Sequence, residues 1–166
     1  MYIINIKGEF MFEFISRSEE DTKKIASILA SKLDSGDILI LSGDLGSGKT
    51  KFTEGFLSFW NLENEISSPT FTIVNEYNKD NINIYHLDVY RLDDIDEFYA
   101  IGGVEYFSTG ICIIEWGELI EDILPKNYIK INFSRDDKNE SIRYLKFKAY
   151  GEKLQNVLKE LEQWKF

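Results

Sequence analysis

The feature that most restricts this chain is a short aliphatic run, Ile38-Leu-Ile-Leu41, that leads almost directly into Gly43-Asp-Leu-Gly-Ser-Gly-Lys-Thr50. Four consecutive apolar residues suit a parallel strand covered on both faces. The octapeptide after it follows the pattern Gly-x-x-x-x-Gly-Lys-Thr. Its glycines let the backbone turn tightly and point successive N–H groups at an anion with no Cβ in the way. The pattern assigns Asp44, Leu45, Gly46, Ser47, Gly48, Lys49 and Thr50 to nucleotide binding. Backbone amides would cradle the phosphates, Lys49 would meet the β and γ phosphoryl oxygens, and Thr50 would offer its hydroxyl to Mg²⁺. A helix starting here would aim its positive end at the anion. The bare pattern arises by chance in roughly one chain of this size in a few hundred, and the strand before it sharpens the signal. The competing reading is a glycine-rich turn with no ligand.

Hydrophobic periodicity supplies the surroundings of this loop. Residues 1 to 15 alternate about a Lys7-Gly8 turn with Phe10, Phe12 and Phe14 on one face, as in a strand or short hairpin. Ser18 followed by Glu19, Glu20 and Asp21 reads as an N-cap with an acidic first turn, opening a helix that ends near Gly36. Further strands are expected at Phe71 to Tyr77, Ile82 to Asp88, Ile111 to Trp116, Tyr128 to Phe133 and Tyr144 to Tyr150. Leu154, Val157, Leu158, Leu161 and Trp164 form an apolar stripe on a closing helix over 151–166. The sum is an α/β, P-loop NTPase-like three-layer fold with a mostly parallel central sheet flanked by helices. At 166 residues one domain is expected, with 1–8 as an N-terminal extension.

Charge narrows the partners. The formal net charge is -10, and Lys and Arg are scattered among acids, so no broad footprint for a nucleic-acid backbone is expected and any anion must be held locally. The single cysteine, Cys112, sits among Ile111, Ile113 and Ile114 and reads as a buried strand thiol, which fits a reducing, cytoplasmic compartment. No stretch reaches the ~18 apolar residues that span a bilayer, so no membrane role is expected.

An Mg²⁺ ion held by one hydroxyl and by phosphate needs a carboxylate at the end of a neighbouring strand. Two expected strands end in one, Asp88 and Glu115, and both would project at the carboxyl edge where open α/β sheets bind ligands. Periodicity does not rank them, and each also reads as a solvated acid at a strand end. Thr70, in Ser68-Pro-Thr70, sits in an irregular stretch suited to sensing the γ-phosphate, or simply in a proline-containing turn entering a strand. His86 is the only histidine, which excludes a histidine metal cluster and suggests a structural imidazole. Trp116 reads as a core or rim aromatic.

Four blocks, Gly43 to Thr50, Ser68-Pro-Thr-Phe-Thr72, His86-Leu-Asp-Val-Tyr-Arg-Leu92 and Ile114-Glu-Trp-Gly-Glu118, together closely resemble the bacterial TsaE (YjeE) ATPases. These proteins serve synthesis of the threonylcarbamoyl modification on adenosine 37 of certain tRNAs. The likeness spans roughly Glu9 to Phe133. It implies ATP with Mg²⁺ as cofactors, with Thr50 and Glu115 as metal ligands. It also implies Asp88, Glu115, Thr70 and Lys49 as catalytic residues and Thr22 and Arg143 as further nucleotide contacts. The implied activity is slow ATP hydrolysis stimulated by partners, the threonylcarbamoyl transferase (TsaD) and its paralogue (TsaB), with tRNA reached only through that assembly.

The rival reading is a small-molecule P-loop kinase, which needs cations around the transferring phosphoryl group. The four arginines, Arg17, Arg91, Arg135 and Arg143, are dispersed along the chain with no arginine-rich lid segment. A guanine-reading Asn-Lys-x-Asp is approached only by Asn78-Lys-Asp-Asn81, which lacks the final acid and comes too early. Adenine is therefore the expected base. A third reading is an inert nucleotide-binding module whose partner senses only the bound state.

Overall fold

The computed structural model describes residues 2–4 and 9–164. Strands β1 (Tyr2–Ile4) and β2 (Glu9–Ser16) lead into α1 (Glu19–Ala30), and β3 (Ile38–Ser42) runs into the loop that starts α2 (Lys49–Ser58). Strands β4 (Val74–Lys79) and β5 (Ile82–Asp88) form a hairpin. Then follow α3 (Ile95–Ala100), α4 (Gly103–Thr109), β6 (Ile111–Glu115), β7 (Ile129–Arg135), β8 (Arg143–Tyr150) and α5 (Glu152–Glu162). The turn expected at Lys7 and Gly8 and the end of the closing helix at residues 165–166 lie outside the described residues.

One sheet of eight strands runs in the order β1-β2-β8-β7-β3-β6-β5-β4. The central four are parallel, through β7 with β3, β3 with β6 and β6 with β5, and the flanking pairs are antiparallel. The parallel part of the expected sheet is thus its middle, where the loop sits, and hairpins complete both sides. The fold is the expected α/β sandwich of helices on both faces of a sheet. On one face, Leu39, Leu41, Ile84, Ile111 and Ile113 pack with Ile25 and Leu29 of α1, Phe52 and Phe56 of α2 and Leu158 of α5. On the other, Ile38, Ile40, Leu87 and Ile114 pack with Phe98 of α3, Phe107 of α4 and Ile120. The four aliphatic residues of β3 are each at most 1% exposed, as a strand covered on both sides requires.

Two boundaries differ most from expectation. Helix α1 stops at Ala30, because the amides of Lys32 and Leu33 turn back to the carbonyls of Leu29 and Ala30 and tighten the last turn. Strand β4 begins at Val74 and not Phe71. The Ile73 amide donates to Pro69 O at 2.7 Å and Ile73 has φ 67°, so residues 69–73 form a turn instead of ladder. Asp80 and Asn81, at φ 49° and 66°, make the two-residue turn of the β4–β5 hairpin. The segment Asn78 to Asn81 therefore lies at the opposite end of β5 from Asp88. Cys112 is fully buried in β6, its Sγ near Tyr106 O, and burial pushes the thiol up to about 12, in keeping with a structural side chain. No described helix is long and apolar enough to cross a membrane.

Helices α1 and α2 cross where Gly55 faces the Lys23 backbone, and a Cβ on Gly55 would lie 2.3 Å from Lys23 Cα. Alanine in a free helix would gain about 1 kcal/mol over glycine, but here the helices must part. Gly55→Ala is expected to lose about 1–3 kcal/mol in urea unfolding. A variant as stable as the parent would show that this crossing is not close-packed.

Candidate nucleotide-binding site

The loop after β3 takes its shape from steric limits. A Cβ at Gly43 would stand 2.6 Å from Phe133 O and 2.7 Å from Ser47 Oγ. Gly48, at φ 112°, is the N-cap of α2. The two helices on this edge are finished differently. Ser18 caps α1 by accepting the Asp21 amide at 3.1 Å, and three acids fill its first turn. Helix α2 has neither a side-chain cap nor an acid in its first turn. Its first amides and the positive end of its dipole are left for an outside anion.

Lys49 lies within this loop. Its ammonium donates to Gly43 O and, at 3.1 Å, to Asp44 O, and sits 5.8 Å from the centre of the Trp116 ring. Trp116 in turn packs on Tyr90, with ring centroids 4.9 Å apart. The tryptophan is thus a rim aromatic, 44% exposed. It is held at φ 60° immediately after Glu115. Ser42, at the end of β3, donates its hydroxyl to Glu118.

The strand alternation of two decides where the acids point. His86 and Asp88 continue the face of Ile84, and Glu115 continues that of Ile111 and Ile113, which is the face covered by α2. The parallel register sets Asp88 beside Glu115. Their surroundings differ where periodicity did not. Asp88 Oδ2 accepts from Thr70 Oγ1 at 3.2 Å, and Oδ1 accepts from the Tyr90 amide at 3.0 Å. The Asp88 amide donates to the carbonyl of the left-handed Ile73 at 2.9 Å. Asp88 is therefore tied to the loop carrying Thr70, whose hydroxyl also meets Ser68 Oγ at 2.8 Å. Glu115 Oε2 instead meets His86 Nε2 at 2.9 Å.

A cavity of about 590 Å³ opens over the loop, lined among others by Thr22, Leu45, Gly46, Gly48, Lys49, Thr50, Glu115 and Arg143. It is of a size that takes a nucleotide. Ser47 is buried beneath it, while Asp44 stands on the neighbouring wall with Trp116. Thr22 is buried and its hydroxyl is shared with Ser16 Oγ at 2.7 Å. Thr50 and Glu115 share the cavity wall, and a hydroxyl with one carboxylate is the sparse donor set that suits Mg²⁺ when phosphate and water fill the remaining positions. Among the described residues no cluster of three or more His, Cys, Asp or Glu forms an all-protein cage.

Three of the four arginines dispersed in sequence converge in space, while Arg91 sits over the Phe71 ring. Arg17 and Arg143 line the cavity. Arg135, the register partner of Arg143, donates to Leu45 O at 3.3 Å. Arg17 and Arg135 were not singled out as nucleotide contacts from sequence, since only the β7–β8 and β2–β8 pairings carry them to the loop. Lys51 is already engaged. Hydrogen bonding to Glu19, then the charge of Glu54, raise its pKa, with contacts of 3.3 and 3.4 Å.

The model of the family described as threonylcarbamoyl adenosine biosynthesis protein TsaE matches residues 16–144. The tRNA threonylcarbamoyladenosine biosynthesis protein TsaE of Bacillus subtilis is 41% identical over 145 residues, covering 87% of this chain and 89% of that protein. The protein of the same name from Haemophilus influenzae is 41% identical over 125 residues, covering 74% and 79%. The crystal structure of Bacillus subtilis YdiB superposes with a TM-score of 0.73 at 34% identity, over 93% of this chain and 96% of that one. The chain belongs to the TsaE family.

The Thr70–Asp88 hydrogen bond has a measurable consequence. Thr70→Val should speed amide hydrogen exchange in residues 69–73 while leaving β3 and β6 protected, since only the local tie is lost. Unchanged exchange in that segment would mean that the hydroxyl does not hold the loop.

Proposed function

We propose that this TsaE-family chain binds and hydrolyses ATP with Mg²⁺ as an accessory protein in threonylcarbamoylation of adenosine in tRNA, acting through the threonylcarbamoyl transferase and its paralogue. The observation that carries the reading is the uncapped N-terminus of α2, with Lys49 beside it and Thr50 and Glu115 exposed to the same cavity. Membership of the family supplies the pathway. The acidic balance of the chain favours reaching tRNA through partners, because a direct contact with its backbone would need a wide basic surface.

In this reading the loop amides take the β and γ phosphates, and the Lys49 ammonium leaves the carbonyls of Gly43 and Asp44 for phosphoryl oxygens that bear more charge. Arg17, Arg135 and Arg143 are positioned to offset the remaining charge. Thr50 and Glu115 are the residues that would hold Mg²⁺, which when bound neutralises phosphate charge and draws it away from the leaving oxygen. Asp88 orients the attacking water through its carboxylate, and Thr70 links that carboxylate to a loop able to respond to the γ-phosphate. The overall reaction takes up water and leaves ADP, inorganic phosphate and a proton. Turnover by the isolated chain is slow because Asp88 is committed to Thr70 and Tyr90, and partner docking on the exposed Phe71, Tyr90 and Trp116 would reset that arrangement.

Calorimetry and phosphate release together test this. Lys49→Ala should weaken ATP binding about 10- to 100-fold, the worth of a charge-assisted hydrogen bond of about 1.5–3 kcal/mol. Asp88→Asn should bind ATP like the parent and release little phosphate even with the transferase assembly present. No heat of ATP association by the folded parent would refute the nucleotide site. Normal binding with no phosphate released, with or without the assembly, would favour an inert module.

A further inference from the structure

His86 is buried in mid-β5 at 3% exposure, on the sheet face that also presents Asp88 and Glu115. Its imidazole makes one polar contact, Nε2 to Glu115 Oε2 at 2.9 Å, while Nδ1 is buried with no partner. An ionised carboxylate only accepts, so Nε2–H is the donor. A histidine placed only to fill the core would be better satisfied at both nitrogens or replaced by an aliphatic residue such as Ile84 or Ile113 around it. This one carries an unpartnered nitrogen and spends its single hydrogen bond on Glu115.

We infer that His86 is a positioning residue that fixes one oxygen of Glu115 so that the other is presented to the cavity for a divalent cation. The inference rests on the reading of Glu115 as a metal ligand given above. The last torsion of a glutamate is broad, and His86 Nε2 is the hydrogen-bond donor that meets the Glu115 carboxylate. The β5–β6 register brings His86 underneath it from the adjacent strand, two residues before the other acid of the site. Partners of this kind, behind a metal ligand, typically change metal affinity about 10- to 100-fold when removed.

The test compares the full-length parent with His86→Gln, His86→Asn and His86→Leu. The amide nitrogen of glutamine reaches about as far as imidazole Nε2, whereas that of asparagine stops near the position of Nδ1. Electron paramagnetic resonance measures Mn²⁺ binding in the presence of a non-hydrolysable ATP analogue, and calorimetry measures the analogue alone in EDTA. The expected result is Mn²⁺ affinity lowered about tenfold or more in His86→Asn and His86→Leu, recovery in His86→Gln, and unchanged metal-free nucleotide affinity in all three. The glutamine–asparagine pair decides the question if the leucine variant does not fold. Equal Mn²⁺ affinity in His86→Gln and His86→Asn overturns the inference while leaving the nucleotide site intact. A parent whose nucleotide binding ignores the metal, or whose Mn²⁺ affinity survives Glu115→Gln, overturns the reading of Glu115 and this inference with it.

Discussion

Parallel pairing of β7, β3, β6 and β5 is the constraint on which the rest of the molecule depends. Because these strands run the same way, their carboxyl ends share one edge, and every strand delivers its last residue there. β3 delivers the glycine-rich loop, β5 delivers Asp88, β6 delivers Glu115, and β7 delivers Arg135. An antiparallel neighbour would have sent one of these to the far side of the sheet. The flanking hairpins serve the same edge, since β8 begins there with Arg143 and β2 ends there just before Arg17.

Electrostatics then concentrates what the whole chain lacks. The protein carries ten more formal negative charges than positive, yet Arg17, Lys49 and Arg143 meet at a single cavity with the free N-terminus of α2. Lys49 donates to loop carbonyls and lies near the Trp116 ring, which are weaker partners for an ammonium than phosphate is. Local focusing of this sort favours an anion at one point of the surface without making the rest attractive to nucleic acid.

The two acids illustrate how environment separates like groups. Asp88 and Glu115 stand side by side on adjacent strands, but one is tied to a turn held by the strained Ile73 and the other to a buried imidazole. Positive φ at a β-branched residue and at Trp116 costs free energy that the surrounding structure must offset. Both residues flank the candidate site: Ile73 adjoins the Thr70 loop and Trp116 follows Glu115.

The local chemistry of this protein was legible in its sequence. The strand-loop-helix around Gly43 to Thr50, the Ser18 cap of α1, the extents of β3, β5 and β6, and the candidacy of Lys49, Thr50, Asp88 and Glu115 follow from residue type and period, because hydrogen bonding and burial of a short segment depend on its own side chains, whereas Thr70 stood out only through the family resemblance. The start of β4 did not, since an edge strand has only one neighbour to register against and its first residues are taken by a turn closing on Pro69. Tertiary structure alone decided which acid goes with which partner, that His86 meets Glu115, and that Arg17 and Arg135 join Arg143 at one loop. Those facts depend on register between strands far apart in the chain, and pairwise register is a property of the packed sheet that no single segment encodes.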